Sequence, residues 1–151
     1  MASRVEAIKL PSQLHIGVVV KDMDKTMQLL SSTFGIGPWD MKERYYPEER
    51  VVVGKGPFSY RVAFAALGPI ELELIEVLEG STIHADFLKT KGEGLHHIGF
   101  RVPHMQQVLD TLQQRGIGVL QSAFREEARY AYMDPAECGG IMFEFVERKA
   151  T

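Results

Sequence analysis

Residues 94–102 read Gly-Leu-His-His-Ile-Gly-Phe-Arg-Val, and a shorter version of this stretch, Leu-His-Ile-Gly-Val-Val-Val, occupies residues 14–20. Aligning the second histidine of the later copy with the histidine of the earlier one matches His, Ile and Gly in both. Each copy runs into a helix-like segment that stops at Gly-Ile-Gly, at residues 35–37 and 116–118. The aligned histidines are 82 residues apart and the Gly-Ile-Gly stops 81. Such a long, nearly fixed offset indicates a duplicated supersecondary unit.

The bulk composition is that of one ordinary globular domain. The chain has 151 residues, of which 45% are hydrophobic and 25% charged, and its formal net charge is −3. This charge gives no electrostatic argument for nucleic-acid binding. No apolar run approaches the roughly 20 residues of a membrane span, and residues 1–6 lack a signal-peptide core. The single cysteine, Cys138, cannot form an internal disulfide, which fits the reducing cytoplasm, and we interpret it as incidental.

Local patterns predict the element order βαβββ in both halves of the chain. The first half has predicted strands at 14–20, 39–46, 60–67 and 70–77, with a strand end and turn at 51–57. Its helix is capped by Asp22 and has an apolar stripe of Met23, Met27, Leu30 and Phe34. The second half has a strand from Leu95, a helix with the stripe Met105, Val108, Leu109 and Leu112, and strands at about 119–126, 129–133 and 141–147. We expect a single domain over 1–151, built of module 13–78, linker 79–94 with a short helix, and module 95–148.

The duplication extends to the last strand of each half. Residues 72–76 read Leu-Glu-Leu-Ile-Glu and residues 143–147 read Phe-Glu-Phe-Val-Glu. Alternate side chains of a strand share a face. The apolar positions on either side of the first glutamate therefore pack under the helices and direct Glu73 and Glu144 to the opposite face. Each module thus opens with a histidine strand and closes with a glutamate strand.

A carboxylate on a largely covered sheet face is costly without a partner, and a divalent cation is a strong partner. Two imidazoles and two carboxylates suit Zn, Co, Ni, Mn or Fe better than Ca or Mg. Any one of these four residues by itself is more often a solvated strand residue or a core histidine. The repeat of both residue types in register favours a shared cation.

The pattern resembles the vicinal oxygen chelate superfamily, which includes glyoxalase I, methylmalonyl-CoA epimerase, extradiol dioxygenases and bleomycin-binding proteins. The resemblance runs from Leu14 to Glu147, and residues 70–76, 87–89 and 94–98 are most similar to methylmalonyl-CoA epimerase. It implies an α+β fold in which two βαβββ modules form a half-open mixed β-barrel around a metal site, the glyoxalase-like fold.

The resemblance also assigns a ligand set: His15, Glu73, His97 and Glu144. The neighbouring His96 points the other way and is interpreted as structural, while His84 and His104 at helix starts carry no ligand signal. One divalent ion per chain is expected, with Co, Ni, Mn or Zn as the candidates. A homodimer is the further implication of the resemblance.

The reaction that the resemblance implies is epimerisation of a 2-methylmalonyl-CoA-like thioester by removal and return of the α-proton. Glu144 is then the catalytic base, and Glu73 is a ligand and possible second base. Arg101 shares the face of His97 and is a candidate for substrate binding, although a surface ion pair explains it equally. Tyr132 is the second candidate, with core packing as its alternative.

Two departures from the epimerase pattern concern the substrate pocket. Residues 44–56 form a longer link than the family has, and Val62 stands about where some epimerases place a second acid/base glutamate. The same four ligand types also suit a glyoxalase I-type lactoylglutathione lyase acting on a glutathione hemithioacetal. A fourth ligand at Glu73 argues against an Fe(II) dioxygenase. A non-catalytic small-molecule-binding protein on the same fold is the remaining alternative, although such proteins tend to lack the ligand set.

Overall fold

The strands of both halves join in one mixed sheet. The computed structural model describes residues 6–149. Its strands are β1 (Leu14–Val19), β2 (Asp40–Tyr46), β3 (Val51–Val53), β4 (Phe58–Leu67), β5 (Ile70–Glu79), β6 (Gly94–Arg101), β7 (Val119–Arg125), β8 (Ala128–Met133) and β9 (Phe143–Arg148). Its helices are α1 (Met23–Phe34), α2 (Ile83–Lys91) and α3 (Met105–Gln114), with 3₁₀ turns at Glu48–Arg50 and Pro135–Glu137.

The strand order, β2-β4-β5-β1-β6-β9-β8-β7-β3, repeats one arrangement twice. β1 lies parallel to β5, and β6 lies parallel to β9. The two modules meet where β1 and β6 run antiparallel. The sheet curls until it nearly closes into a barrel, with the helices outside. This is the predicted α+β glyoxalase-like architecture.

Residues 51–53, predicted as the end of a strand, form a separate short strand, and irregular structure follows at 54–57. β3 leaves its own module and pairs antiparallel with β7, with Val51 opposite Ala123 and Val53 opposite Ser122. The unpaired backbone groups along the outer edge of β7 thereby gain partners. The long link between β2 and β4 therefore extends the sheet of the second module.

The helices cover the outer face of the sheet through the predicted apolar residues. Met23 packs with Leu72 and Leu74, and Met105 packs with Phe145. The prediction that Phe34 belongs to the apolar stripe of the helix is wrong, because its side chain is 69% exposed. The chain turns back after it at Gly35, whose φ is 66°, and Ile36 and Trp39 join the Met23 cluster instead. Within residues 6–149 no helix is long and apolar enough to cross a membrane.

Candidate metal centre

The four predicted ligands lie on the four central strands, in two rows that run across the sheet. In one row Glu73 of β5 and His97 of β6 flank Gly17 of β1. In the other row His15 of β1 and Glu144 of β9 flank Gly99 of β6. Each row therefore reads Glu, Gly, His or its reverse, and each module supplies one histidine and one glutamate.

In each row the histidine side chain lies over the neighbouring glycine, in the space that a larger residue's side chain would occupy. A Cβ on Gly17 would lie 2.0 Å from Cε1 of His97, and a Cβ on Gly99 would lie 2.0 Å from Cε1 of His15. Real atoms do not approach so closely, so each imidazole requires a glycine on the neighbouring strand. The repeated His-Ile-Gly therefore has a reciprocal cause: the histidine of each module lies over the glycine of the other.

The donor atoms of these side chains converge. The two histidine Nε2 atoms are 3.1 Å apart, and His15 Nε2 lies 3.1 Å from Glu144 Oε1 and 3.8 Å from Glu73 Oε2. His97 Nε2 lies 3.9 Å from an oxygen of each glutamate. His15, Glu73 and His97 each offer one ligand atom, and these atoms lie within 4.8 Å of one another. Glu144 adds one oxygen 3.1 Å from His15 Nε2 and another 3.9 Å from His97 Nε2.

This donor set fits a divalent transition metal. Two ligand atoms each about 2.1 Å from one cation are separated by roughly 3.0–3.4 Å, close to the spacings observed here. Two nitrogen and two oxygen donors, with net charge −2 from the carboxylates, suit a borderline cation. The sheet order places the glutamates on the strands outside the histidine strands, so the carboxylates flank the imidazole pair.

Burial and neighbouring charges shift the pKa values of His15, Glu73 and His97. Burial lowers the pKa of His15, but the hydrogen bond with Glu144 and the charges of Glu73 and Glu144 outweigh it and raise that pKa to about 9. Burial raises the pKa of Glu73 to about 7 despite the opposing charge of His15. Burial, followed by the charge of His15, holds the pKa of His97 well below its usual value. The site therefore holds buried charges that the protein only partly neutralises, as is expected where a cation supplies the remaining neutralisation.

A cavity of about 390 Å³ opens on the concave face of the sheet, and three of the four predicted ligands, His15, Glu73 and Glu144, line it. Both predicted substrate-binding residues line it. Arg101 is exposed and forms no ion pair with any residue in 6–149, so the alternative of a surface ion pair has no partner there. Tyr132 is buried, and its hydroxyl lies 2.9 Å from His84 Nε2. Val62 also lines the cavity, as an apolar wall where the resemblance has an acid.

With this geometry in place, the comparisons with known proteins decide the family. The model of the Glyoxalase/Bleomycin resistance protein/Dioxygenase superfamily matches residues 14–132. The chain belongs to this superfamily. The match includes three of the four ligands and ends before β9, which carries Glu144.

Similar proteins and structures cover nearly the whole chain. The uncharacterized protein YqjC of Bacillus subtilis is 29% identical over 139 residues, which are 89% of this chain and 91% of that protein. Methylmalonyl-CoA epimerase of Mycobacterium tuberculosis is 22% identical with a TM-score of 0.70, covering 96% of this chain and 93% of that one. A variant of the Streptomyces coelicolor methylmalonyl-CoA epimerase, in complex with 2-nitronate-propionyl-CoA, is 24% identical with a TM-score of 0.72 and coverages of 94% and 100%. At these identities the structures establish the shared fold.

Behind the ligands lies a layer of histidines that differs from the sequence prediction. His96 does point away from the ligand set, and its Nδ1 lies 2.9 Å from His97 Nδ1, with one ring donating to the other. His84, which was expected to carry no signal, is fully buried between His96 and Tyr132. The overlooked signal is its place on one stripe with Phe87 and Leu88, three and four residues later.

His84, His96 and His97 form a second group whose ligand atoms lie within 4.8 Å of one another. All three are buried, and burial lowers the pKa of His96 to about 4 and that of His84 well below its usual value. No carboxylate belongs to this group, so a cation there would lack a compensating charge. The contacts instead suit a layer that orients His97, because a partner on Nδ1 fixes which ring nitrogen is free to bind a metal.

Proposed function

We propose that this chain is a metal-requiring epimerase acting on a 2-methylmalonyl-CoA-like thioester, by removal and return of the proton on the carbon next to the carbonyl. The observation that carries the proposal is the convergence of two imidazoles and two carboxylates at the floor of an open cavity. The likeness to the fold of methylmalonyl-CoA epimerases supports the choice of substrate.

His15, Glu73, His97 and Glu144 would hold one divalent cation, with Co, Ni, Mn or Zn as the candidates. When bound, the cation supplies Lewis-acid stabilisation of the negative charge that develops on the carbonyl oxygen as the α-proton leaves. The chain itself must then provide a proton acceptor on each side of the reacting carbon, because inversion requires removal from one face and return to the other.

Glu144 is the proposed base, and Glu73 is a metal ligand and the proposed second base. Their strands lie on opposite sides of the two histidine strands, so their carboxylates approach the cavity floor from opposite sides. One carboxylate oxygen accepts the proton as the C–H bond breaks, and the other carboxylic group returns a proton to the opposite face. The pair thereby takes the role of the second acid/base glutamate, at whose position this chain has Val62. The buried side chains of Val62 and Tyr132 line the same cavity.

The direct test is incorporation of deuterium into the α-position of methylmalonyl-CoA in D₂O with added Co²⁺. We expect exchange with the wild type and a loss of about 10²-fold or more in Glu144→Gln, since general base catalysis contributes about that factor. Glu71→Gln is the matched control, because Glu71 is an exposed carboxylate at the rim of the same cavity. Absence of exchange with any acyl-CoA would remove the epimerase proposal.

Two further properties follow from the same proposal and need separate measurements. The substrate panel should include the glutathione hemithioacetal of methylglyoxal, because conversion of that compound alone would reassign the site to lactoylglutathione lyase chemistry. The expected homodimer is checked by light scattering of the purified protein. A cytoplasmic location is checked by fractionation.

A further inference from the structure

The duplication also includes two arginines in equivalent positions, Arg44 of β2 and Arg125 of β7. Arg61 and Arg129 are equivalent, because each pairs across the sheet with the second glutamate of its own module. The residue opposite Arg61 is Glu43, and the residue opposite Arg129 is Phe124. Their next neighbours, Arg44 and Arg125, therefore hold equivalent positions. They are 81 residues apart, the same offset as that between the Gly-Ile-Gly stops.

Both arginines line the cavity that is also lined by three of the candidate ligands, His15, Glu73 and Glu144. Arg44 is half-buried and forms neither an ion pair nor a side-chain hydrogen bond with any residue in 6–149. Arg125 is also half-buried, and its Nη1 donates to Tyr46 Oη at 3.0 Å while its Nε donates to Glu127 Oε1 at 2.7 Å. Arg125 is thus fixed in place, whereas none of the described residues binds the side-chain donors of Arg44.

The electrostatic surroundings of the two arginines differ. Burial opposes the charge of Arg125, but Tyr46 and Glu127 outweigh it and raise the pKa of Arg125. Burial and then the charge of Arg125 lower the pKa of Arg44. A guanidinium that faces a like charge in a partly desolvated cavity costs stability, and such costs persist in proteins chiefly at functional sites. A guanidinium fork binds carboxylate and phosphate oxygens in a bidentate geometry, so an oxyanion between the two arginines would remove the repulsion.

We infer that Arg44 and Arg125 form a receptor for an oxyanion, a carboxylate or a phosphate, which the substrate carries in addition to the atoms that meet the four ligands. That the oxyanion belongs to a substrate rests on the proposed function, whereas the binding of an oxyanion does not. The expected substrates are thioesters that carry a free anionic group within reach of Arg44 and Arg125.

The first test measures oxyanion binding without any catalysis. Inorganic phosphate and malonate are titrated into the wild type by calorimetry, in the presence of a chelator and at constant ionic strength. We expect Arg44→Gln to weaken binding roughly tenfold or more, since hydrogen bonds to a charged group contribute about that much. Arg148→Gln is the matched control, because Arg148 is an exposed arginine lining the same cavity. No binding to the wild type, or equal losses in both variants, would overturn the receptor.

The second test distinguishes an oxyanion of the substrate from a free one. KM is compared for methylmalonyl-CoA and for methylmalonyl-pantetheine, which lacks the nucleotide phosphates. A rise in KM for Arg44→Gln with both thioesters assigns the pair to the acyl carboxylate, and a rise with the CoA thioester alone assigns it to a phosphate. Unchanged KM for both overturns the substrate role, even where phosphate still binds. If neither thioester is turned over, the proposed function fails while the calorimetric result stands.

The third readout is thermal stability in phosphate-free buffer. Because Arg44→Gln removes a charge that Arg125 repels, and no hydrogen bond or ion pair with a described residue, we expect its melting temperature to equal or exceed that of the wild type. A melting temperature several degrees lower, together with unchanged phosphate affinity, would mean that Arg44 stabilises the fold and is not a receptor.

Discussion

Gly17 and Gly99 determine how closely the two candidate metal-binding histidines approach. Adjacent strands of a sheet are about 4.8 Å apart, and a histidine reaches the shared centre only by leaning across its neighbour. Both glycines provide this space, and neither has a left-handed φ, so the requirement at these positions is steric. The geometry of the proposed site therefore depends on the lack of a side chain at Gly17 and Gly99 as well as on the four candidate ligands.

Replacing Gly99 by alanine should displace His15 while leaving the fold intact. The added Cβ would lie 2.0 Å from the imidazole Cε1, so the ring must move and its Nε2 must leave the donor set. We expect Co²⁺ affinity, measured by calorimetry, to fall at least tenfold, as for other losses of ligand orientation. Gly118→Ala is the matched control, because a Cβ there meets no atom within 4 Å. Wild-type affinity in Gly99→Ala would refute the reciprocal packing.

At the scale of the elements, the second glutamate of each repeated strand explains how the helices are attached. Glu76 Oε2 accepts a hydrogen bond from the Met23 backbone N–H at 2.7 Å, and Glu147 Oε2 accepts one from the Met105 backbone N–H at 2.6 Å. Each glutamate thus holds the first residue of the helix in its own module. In the repeated Glu-apolar-apolar-Glu pattern, the two glutamates lie on opposite faces of the strand. The first carboxylate lines the cavity, and the second binds the N-terminus of a helix.

Glu147→Gln should cost more stability than Glu76→Gln. α1 has a second cap in Asp22, whereas His104 at the start of α3 makes no side-chain capping bond. We expect a loss of about 1–2 kcal/mol in unfolding free energy for Glu147→Gln, measured by urea denaturation at pH 7. Equal losses in the two variants would show that the second cap on α1 contributes nothing.

The Glu147 contribution should also depend on pH. The Met105 N–H bond and Arg129 hold the pKa of Glu147 below its ordinary value of 4.5. A depressed carboxyl pKa contributes stability that is fully present above 4.5 and is lost as pH falls through the folded value. The difference between wild type and Glu147→Gln should therefore be constant from pH 7 to about 5 and shrink in more acidic solution. A difference that grows on acidification would contradict this assignment.

At the scale of the whole molecule, the sequence predicts what is repeated and misses what requires knowledge of strand pairing. The histidine and glutamate pairs, and the leucines and phenylalanines beneath the helices, follow from periodicity and duplication. The pairing of β3 with the other module was not predictable, because three valines show that a strand is favoured but not which edge accepts it. The equivalence of Arg44 and Arg125 could not be predicted for the same reason, because it depends on the register of β2 with β4 and of β7 with β8.

The proposed centre takes two ligands from each module, so cation binding should depend equally on both halves of the molecule. At a Co²⁺ concentration about 100 times its Kd, mass action should raise the unfolding free energy of the wild type by about 2.7 kcal/mol. We expect this gain to vanish in His15→Asn, whose side chain belongs to the first module, as fully as in His97→Asn. The alternative centre of His84, His96 and His97 contains His97 but not His15. Stabilisation that survives His15→Asn and disappears in His84→Asn would therefore place the cation in the second module alone, whereas loss in His15→Asn with retention in His84→Asn would support the shared site.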